Sequence, residues 1–191
     1  MRKGDDLYFA PDVLFTEVNL GDISFVNHLR KRIDGYYFAP TRLCIAQGHA
    51  FGAGVLLVST IDFLAGLHRS ADELSDRPVG RDFRGFVRSQ LPSFRSQDLA
   101  QRLWDDFRNG LTHEARIKNA GEFSFDRKQT VCLAGGRLCI NPHHLLEEVE
   151  AALQRSMDTL VSDEAQRQDA AARLRTLFTV EFWIVQRARA S

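Results

Sequence analysis

Cysteine, lysine and methionine are all scarce here: three, four and two copies in 191 residues. Cys44, Cys132 and Cys139 are odd in number and show no framework spacing, which excludes a secreted disulfide scaffold and predicts a reducing, cytoplasmic setting. Met1-Arg-Lys is followed by Gly-Asp-Asp and not by an apolar run, so no signal peptide is expected. The most membrane-like stretch, Ala50 to Leu67, carries Asp62 and is barely long enough to span a bilayer; it reads as a buried core helix, and no membrane association is expected. Charge of one sign is also missing. Twenty-five basic and 25 acidic residues cancel, which excludes a globally basic nucleic-acid binder and leaves room only for a local patch. Against four lysines stand 21 arginines, a bias that suits bidentate contacts to carboxylate or phosphate but that a GC-rich coding sequence also produces. There is no glycine-rich phosphate loop, dinucleotide-binding fingerprint or Ser-His-Asp ordering, so no cofactor is expected.

What is present is helical periodicity without repeats or long linkers, read as one domain over residues 1–191. Residues 1–20 are ambiguous, with Val13 to Val18 open to strand or helix. Asp22 is placed as the cap of a helix with apolar positions Ile23, Val26, Leu29 and Ile33. Pro40 and Thr41 start a long helical pattern to about His68, apolar nearly all round through Ile45, Phe51, Val55, Leu56, Val58, Phe63 and Leu64. After a connection containing Pro78 and Gly80, residues 81–91 form a short amphipathic helix with Phe83, Phe86 and Val87 on one face. Ser96 or Gln97 opens another, with Leu99, Leu103, Phe107 and Leu111 inward and a glycine stop near Asn119-Ala-Gly121. The one β signal lies within 122–141, where Gly135-Gly136 between alternating apolar residues predicts a hairpin over 130–140. Asn141-Pro142 then starts a helix burying Leu145, Leu146, Val149, Leu153 and Leu160. A last helix from about Asp163 is expected to bury Leu174, Leu177, Phe178, Phe182 and Val185. The expected fold is an all-α bundle with a small inserted hairpin.

Chemistry concentrates in Leu103-Trp-Asp-Asp-Phe-Arg-Asn-Gly-Leu-Thr-His-Glu-Ala-Arg-Ile-Lys118. Here Arg108 is followed by the polar Asn109 and, after four intervening residues, by His113. Other arginines stand at similar distances from a histidine, namely Arg42 before His49 and Arg137 before His143 and His144. Each of those is followed by leucine, and only Arg108 sits late in an amphipathic helix. In these residues the chain resembles the HEPN superfamily, whose mark is an Arg, four to six residues and a His near the end of a bundle helix. The words Arg-Asn-Gly-Leu-Thr-His and the later Ile-Asn-Pro-His-His-Leu-Leu are similar to a bacterial group within or beside HEPN, a likeness that covers about residues 40–180. The resemblance implies a HEPN-like helical bundle that dimerises with two motifs facing each other. It also implies metal-independent RNA cleavage, with Arg108 and His113 as catalytic residues and Asn109 assisting. Such proteins often serve in toxin or defence systems, which implies an antitoxin-like protein partner. Other members are inactive modules that bind RNA, a nucleotide or a protein.

Helix geometry poses a question. Arg108 and His113 are about 140° apart on an ideal helix, so the arginine must wrap round, the helix must loosen near Gly110, or the pair must meet across a dimer seam. Arg77, Arg81, Arg84 and Arg88 form a basic row readable as a phosphate-backbone contact or as a solvated face; Arg84, Arg88, Arg116 and Lys118 are the expected RNA contacts. His143 with Glu147 and His144 with Glu148 are i, i+4 pairs, but no third ligand is evident and no metal is expected. Asp62 is either a paired carboxylate near the site or solvent-facing. Trp104 and Trp183 read as core or interface aromatics, and Cys132 and Cys139 as facing each other across the hairpin, where a pair of thiols usually serves as small apolar residues.

Overall fold

The computed structural model describes residues 1–4, 6–68 and 79–190. The fold is mostly helical, with two small three-stranded sheets. Strands β1 (Arg2–Lys3), β2 (Asp6–Ala10) and β3 (Val13–Leu14) form an antiparallel sheet at the N-terminus, where the sequence pattern was ambiguous. Phe9 and Phe15 leave it fully buried and stack edge-on with each other and with Phe178 at ring separations of 5.3–5.7 Å.

Helix α1 (Phe25–Ile33) buries Phe25, Val26, Leu29 and Ile33. Ile23 stays outside, because the Asp22 carboxylate accepts the Ser24 N–H at 2.7 Å and holds a turn ahead of the helix. A π segment, Asp34–Phe38, joins α1 to α2 (Ala39–Ala46). Pro40, placed by the sequence at a helix start, therefore lies just beyond a widened turn; a π turn relieves the hydrogen bond and carbonyl clash that proline brings to a helix interior.

The long helix expected from Pro40 to His68 is two helices. Gly48, with φ +72°, breaks it, and α3 (Ala50–Leu67) begins afresh. By length and composition α3 is apolar enough to cross a membrane, and half of it is buried inside the molecule. Its inward face is Leu57, Val58, Ile61 and Leu64, packed among α2, α4 (Val79–Gln90) and α7 (Pro142–Ser162), whereas Phe51 is exposed. Helix α4 buries Phe83, Phe86 and Val87 as its spacing predicts.

Helix α5 (Gln97–Arg102), a π segment (Leu103–Arg108) and α6 (Asn109–Glu114) run on as one rod. The rod stops at Glu114, five residues before the expected glycine stop. Ala115 takes the left-handed conformation there (φ 53°) and the Arg116 N–H returns to the Gly110 carbonyl at 3.2 Å.

Strand β4 (Glu122–Phe123) runs parallel to β6 (Arg137–Ile140), which pairs antiparallel with β5 (Val131–Ala134). Gly135 and Gly136, at φ 56° and 78°, make the primed turn that the sequence predicts. Asn141 caps α7, its Oδ1 accepting the His143 N–H at 2.9 Å. The expected last helix is also two, α8 (Glu164–Leu177) and α9 (Thr179–Ala190). The break lets Phe178 and Phe182 turn onto Phe15, and it leaves Leu177 and Trp183 exposed rather than in the core.

Candidate functional site

The π segment delivers Arg108 to the centre of a small polar cluster. Its guanidinium lies 4.6 Å over the Trp104 ring, four residues earlier on the same rod. Trp104 is itself half-buried, packed 5.2 Å from Phe83 and seated over Gly80 of α4, where any side chain would collide with the indole. From this platform Arg108 Nη2 donates to Asp62 Oδ2 on α3 at 3.0 Å. Of the two readings left open by the sequence, Asp62 is thus the paired carboxylate. Only 16% of the Arg108 side chain and 30% of Asp62 are exposed, so the pair is partly withdrawn from water. Arg108 Nε and Asp62 Oδ1 are both sealed from solvent and lack a hydrogen-bond partner among the described residues.

The remaining amino group, Nη1, faces both other members of the motif: Asn109 Oδ1 at 3.3 Å and His113 Nε2 at 3.4 Å. The arginine wraps round the rod, so the two residues meet within one chain. A guanidinium offers only N–H groups, so in this arrangement Nε2 of His113 is turned toward a donor and is open to another proton only when Arg108 Nη1 turns away. His113 is otherwise exposed to solvent at the end of α6.

Gly110 has an intrachain reason for being glycine. The returning backbone places the Arg116 carbonyl oxygen where a Cβ at position 110 would stand. A close contact between two copies is not needed to explain it.

Asp106 is the residue that sequence reading passed over. It is 2% exposed and clamps the segment after α6: its backbone oxygen accepts the Lys118 N–H at 2.8 Å and its Oδ1 accepts Asn119 Nδ2 at 2.7 Å. Arg102 balances the buried charge at 3.3 Å and reaches the hairpin tip, donating to the Gly136 carbonyl at 2.9 Å. The only sequence signal for this was the i, i+4 spacing of Arg102 and Asp106. The clamp holds three non-glycine residues at positive φ, namely Ala115, Asn119 and Ala120.

The expected RNA contacts divide into two groups. Arg116 and Lys118 both pair with Glu114, at 2.7 and 2.5 Å, and their hydrogen bonds, Lys118 first, hold that carboxyl below its ordinary range. Arg84 and Arg88 lie on α4 and line a groove of about 430 Å³ together with His68, Arg81, Ser89 and Gln97. Arg77 lies outside the described residues. At the start of α7, His143, His144 and Glu147 bring three ligand-type atoms within 4.8 Å of one another, and these residues could hold a cation; Glu148 instead binds Ser93 through its backbone N–H at 3.1 Å and its hydroxyl.

Comparison with family models, with curated proteins and with solved structures gives no match. The functional reading therefore rests on the chain's own residues and on the resemblance they carry.

Proposed function

We propose that this protein is a HEPN-like, metal-independent endoribonuclease that acts as a homodimer, with Arg108 and His113 catalytic and Asn109 assisting. The supporting observation is the 3.4 Å approach of Arg108 Nη1 to His113 Nε2 within one helical rod, the guanidinium being oriented from behind by Asp62 and from below by Trp104. Two residues that are not neighbours on an ideal helix are brought to one point, as a phosphate-handling pair requires.

The chemistry follows from the two groups. With Arg108 Nη1 turned onto the phosphate, His113 Nε2 takes the proton of a ribose 2′-hydroxyl, and that oxygen attacks the adjacent phosphorus. Arg108 stabilises the negative charge that develops on the non-bridging oxygens. The 5′-oxygen leaves with a proton supplied by the second copy's histidine, and the product end is a 2′,3′-cyclic phosphate. Asn109 Oδ1, already bonded to Arg108, fixes the guanidinium plane. Helix α4, which packs on Trp104 through Gly80, also carries the arginine-lined groove and offers Arg84 and Arg88 to the RNA backbone. A toxin or defence role, with an antitoxin-like protein covering the site, belongs to the same proposal.

A second reading is a catalytically silent module that binds RNA, a nucleotide or a protein. It is favoured by the engagement of Arg108 with Asp62, which already satisfies part of the guanidinium. Incubating the full chain with single-stranded RNA in excess EDTA separates the two. Cleavage with cyclic-phosphate ends supports the enzyme; retention of intact RNA supports the module; neither cutting nor binding defeats the enzyme and the RNA-binding form of the module.

A further inference from the structure

Cys132 and Cys139 face each other directly across the β5–β6 hairpin, as register partners in an antiparallel ladder. Directly opposed residues of such a ladder place their side chains on the same face, with Cα atoms about 4.5–5.5 Å apart. That interval falls inside the range a disulfide accepts, about 4.4–6.8 Å. All three cysteines are free thiols, and Cys44 sits on α2, outside the hairpin. The two hairpin thiols differ in surroundings. Cys132 is half-buried, whereas Cys139 is fully buried beside Glu122 on β4.

We propose that this pair is a reversible thiol–disulfide modification site whose partner is a small disulfide of the glutathione class. The Cys132 thiolate, being reachable, attacks one sulfur of the oxidised tripeptide, forming a mixed disulfide and releasing one reduced tripeptide. Cys139, its proton lost, then attacks the Cys132 sulfur and expels the second reduced tripeptide. The protein gives up two electrons and two protons, and the oxidant becomes two thiols. Burial, followed by the neighbouring Glu122 carboxylate, raises the Cys139 pKa, which makes it the resolving and not the initiating thiol.

The position gives the bond a consequence. The hairpin tip is held by Arg102, which also balances Asp106, the clamp of the segment behind Gly110. On its other side β6 pairs with β4, whose Phe123 ring lies 5.0 Å from Phe107 in the π segment and fills the notch at Gly54 of α3. Closing the disulfide stiffens a β element that braces the rod carrying Arg108 and His113. The proposal does not depend on what that rod does.

The test uses the full chain, equilibrated in reduced and in oxidised glutathione. Oxidation should lower the titratable thiols from three to one per chain, with a mass loss of two hydrogen atoms and no retained glutathione. Arg137 lies between the two cysteines, so trypsin should release a two-peptide species linking Cys132 to Cys139. The Cys139→Ser variant should accumulate a stable glutathione adduct on Cys132, and Cys132→Ser should resist modification. The melting temperature of the wild type should rise on oxidation by roughly 5 °C, the scale set by closing a short loop. Three thiols surviving oxidation, a link to Cys44, or a wild-type chain that stops at the mixed disulfide would each overturn the proposal.

Discussion

The α-carbon of Gly110 lies beneath the carbonyl oxygen of Arg116, and a methyl group at position 110 would overlap that oxygen. Glycine-to-alanine exchange in an ordinary helix stabilises by about 0.5–1 kcal/mol. Here the sign should reverse. The clash is with backbone, which cannot swing aside as a side chain does, so Gly110→Ala should cost about 1–3 kcal/mol in urea unfolding. A variant as stable as the parent would mean that the returning segment does not lie where it is described.

The two motif residues should separate by role. His113→Ala should lower RNA cleavage by about 10²–10⁴-fold, the usual cost of losing a general acid–base group. Arg108→Ala should cost about 10²–10³-fold through lost charge stabilisation, and should weaken RNA binding as well. His113 is exposed at the end of α6, so its replacement should leave the melting temperature unchanged. A large loss of stability in His113→Ala would make the residue structural and remove the base from the mechanism.

Asp62 is expected to be a positioning residue. Asp62→Asn keeps the shape and removes the charge that draws Arg108 Nη2 to 3.0 Å. Because the pair is only partly withdrawn from water, the stability cost should be about 1–2 kcal/mol, between the values for surface and buried pairs. Misorienting the guanidinium should lower kcat by roughly 10–100-fold with KM little changed. An unchanged kcat despite the stability loss, or a change in KM alone, would contradict the assignment.

Backbone strain behind the motif gives a prediction of opposite sign. Ala120 is exposed and has φ 53°, a conformation that costs a non-glycine residue about 1–2 kcal/mol. Ala120→Gly removes that strain and adds about 0.5–1 kcal/mol of chain entropy to the unfolded state. The net should be a gain of up to about 1 kcal/mol, read as a higher denaturant midpoint. Asp106→Asn should act in the other direction, because it loosens the clamp and leaves Arg102 without its counter-charge.

His68 should make the fold acid-sensitive. Its ring packs 5.3 Å from Phe86, and its Nε2 donates to Ser156 Oγ at 2.9 Å while that hydroxyl donates to the Ala152 carbonyl. Loss of hydration lowers its pKa from the ordinary 6.5. Below that value the unfolded chain takes up a proton that the folded one resists. The contribution is therefore complete above pH 6.5 and is lost as pH falls through the lower folded-state value. Melting temperature against pH should show this slope in the parent and lose it in His68→Gln.

Periodicity revealed most of the helices and their inward faces, because apolar spacing reports burial directly: Phe83, Phe86 and Val87 lie inside, as do Leu145, Leu146 and Val149. The Gly135-Gly136 turn and the Asn141-Pro142 start were legible for the same local reason, since each is dictated by adjacent residues. The breaks at Gly48 and Phe178 were not. A glycine inside an apolar run reads as tolerated, and Phe178 turns only because Phe9 and Phe15 wait for it far away in the chain. At the site, Arg108, Asn109 and His113 were legible as a spacing. Their meeting point was not, since it depends on Asp62, Trp104 and a widened helical turn. Asp106 showed in the sequence only its i, i+4 spacing from Arg102, because its other partners are a backbone N–H and a side chain that return only after the rod has ended.

The π segment Leu103–Arg108 holds one residue more than α spacing over the same rise would. Removing a single residue there, such as Asp105, would let the rod close to regular α spacing while α6 kept nearly its present phase against α5. The same deletion between Asn109 and Thr112 has no such slack to draw on: His113 would rotate by about 100° and draw back by about 1.5 Å relative to Arg108. The segment thus works as a store of chain length placed ahead of the motif, and the spacing inside the motif is what the rod cannot trade.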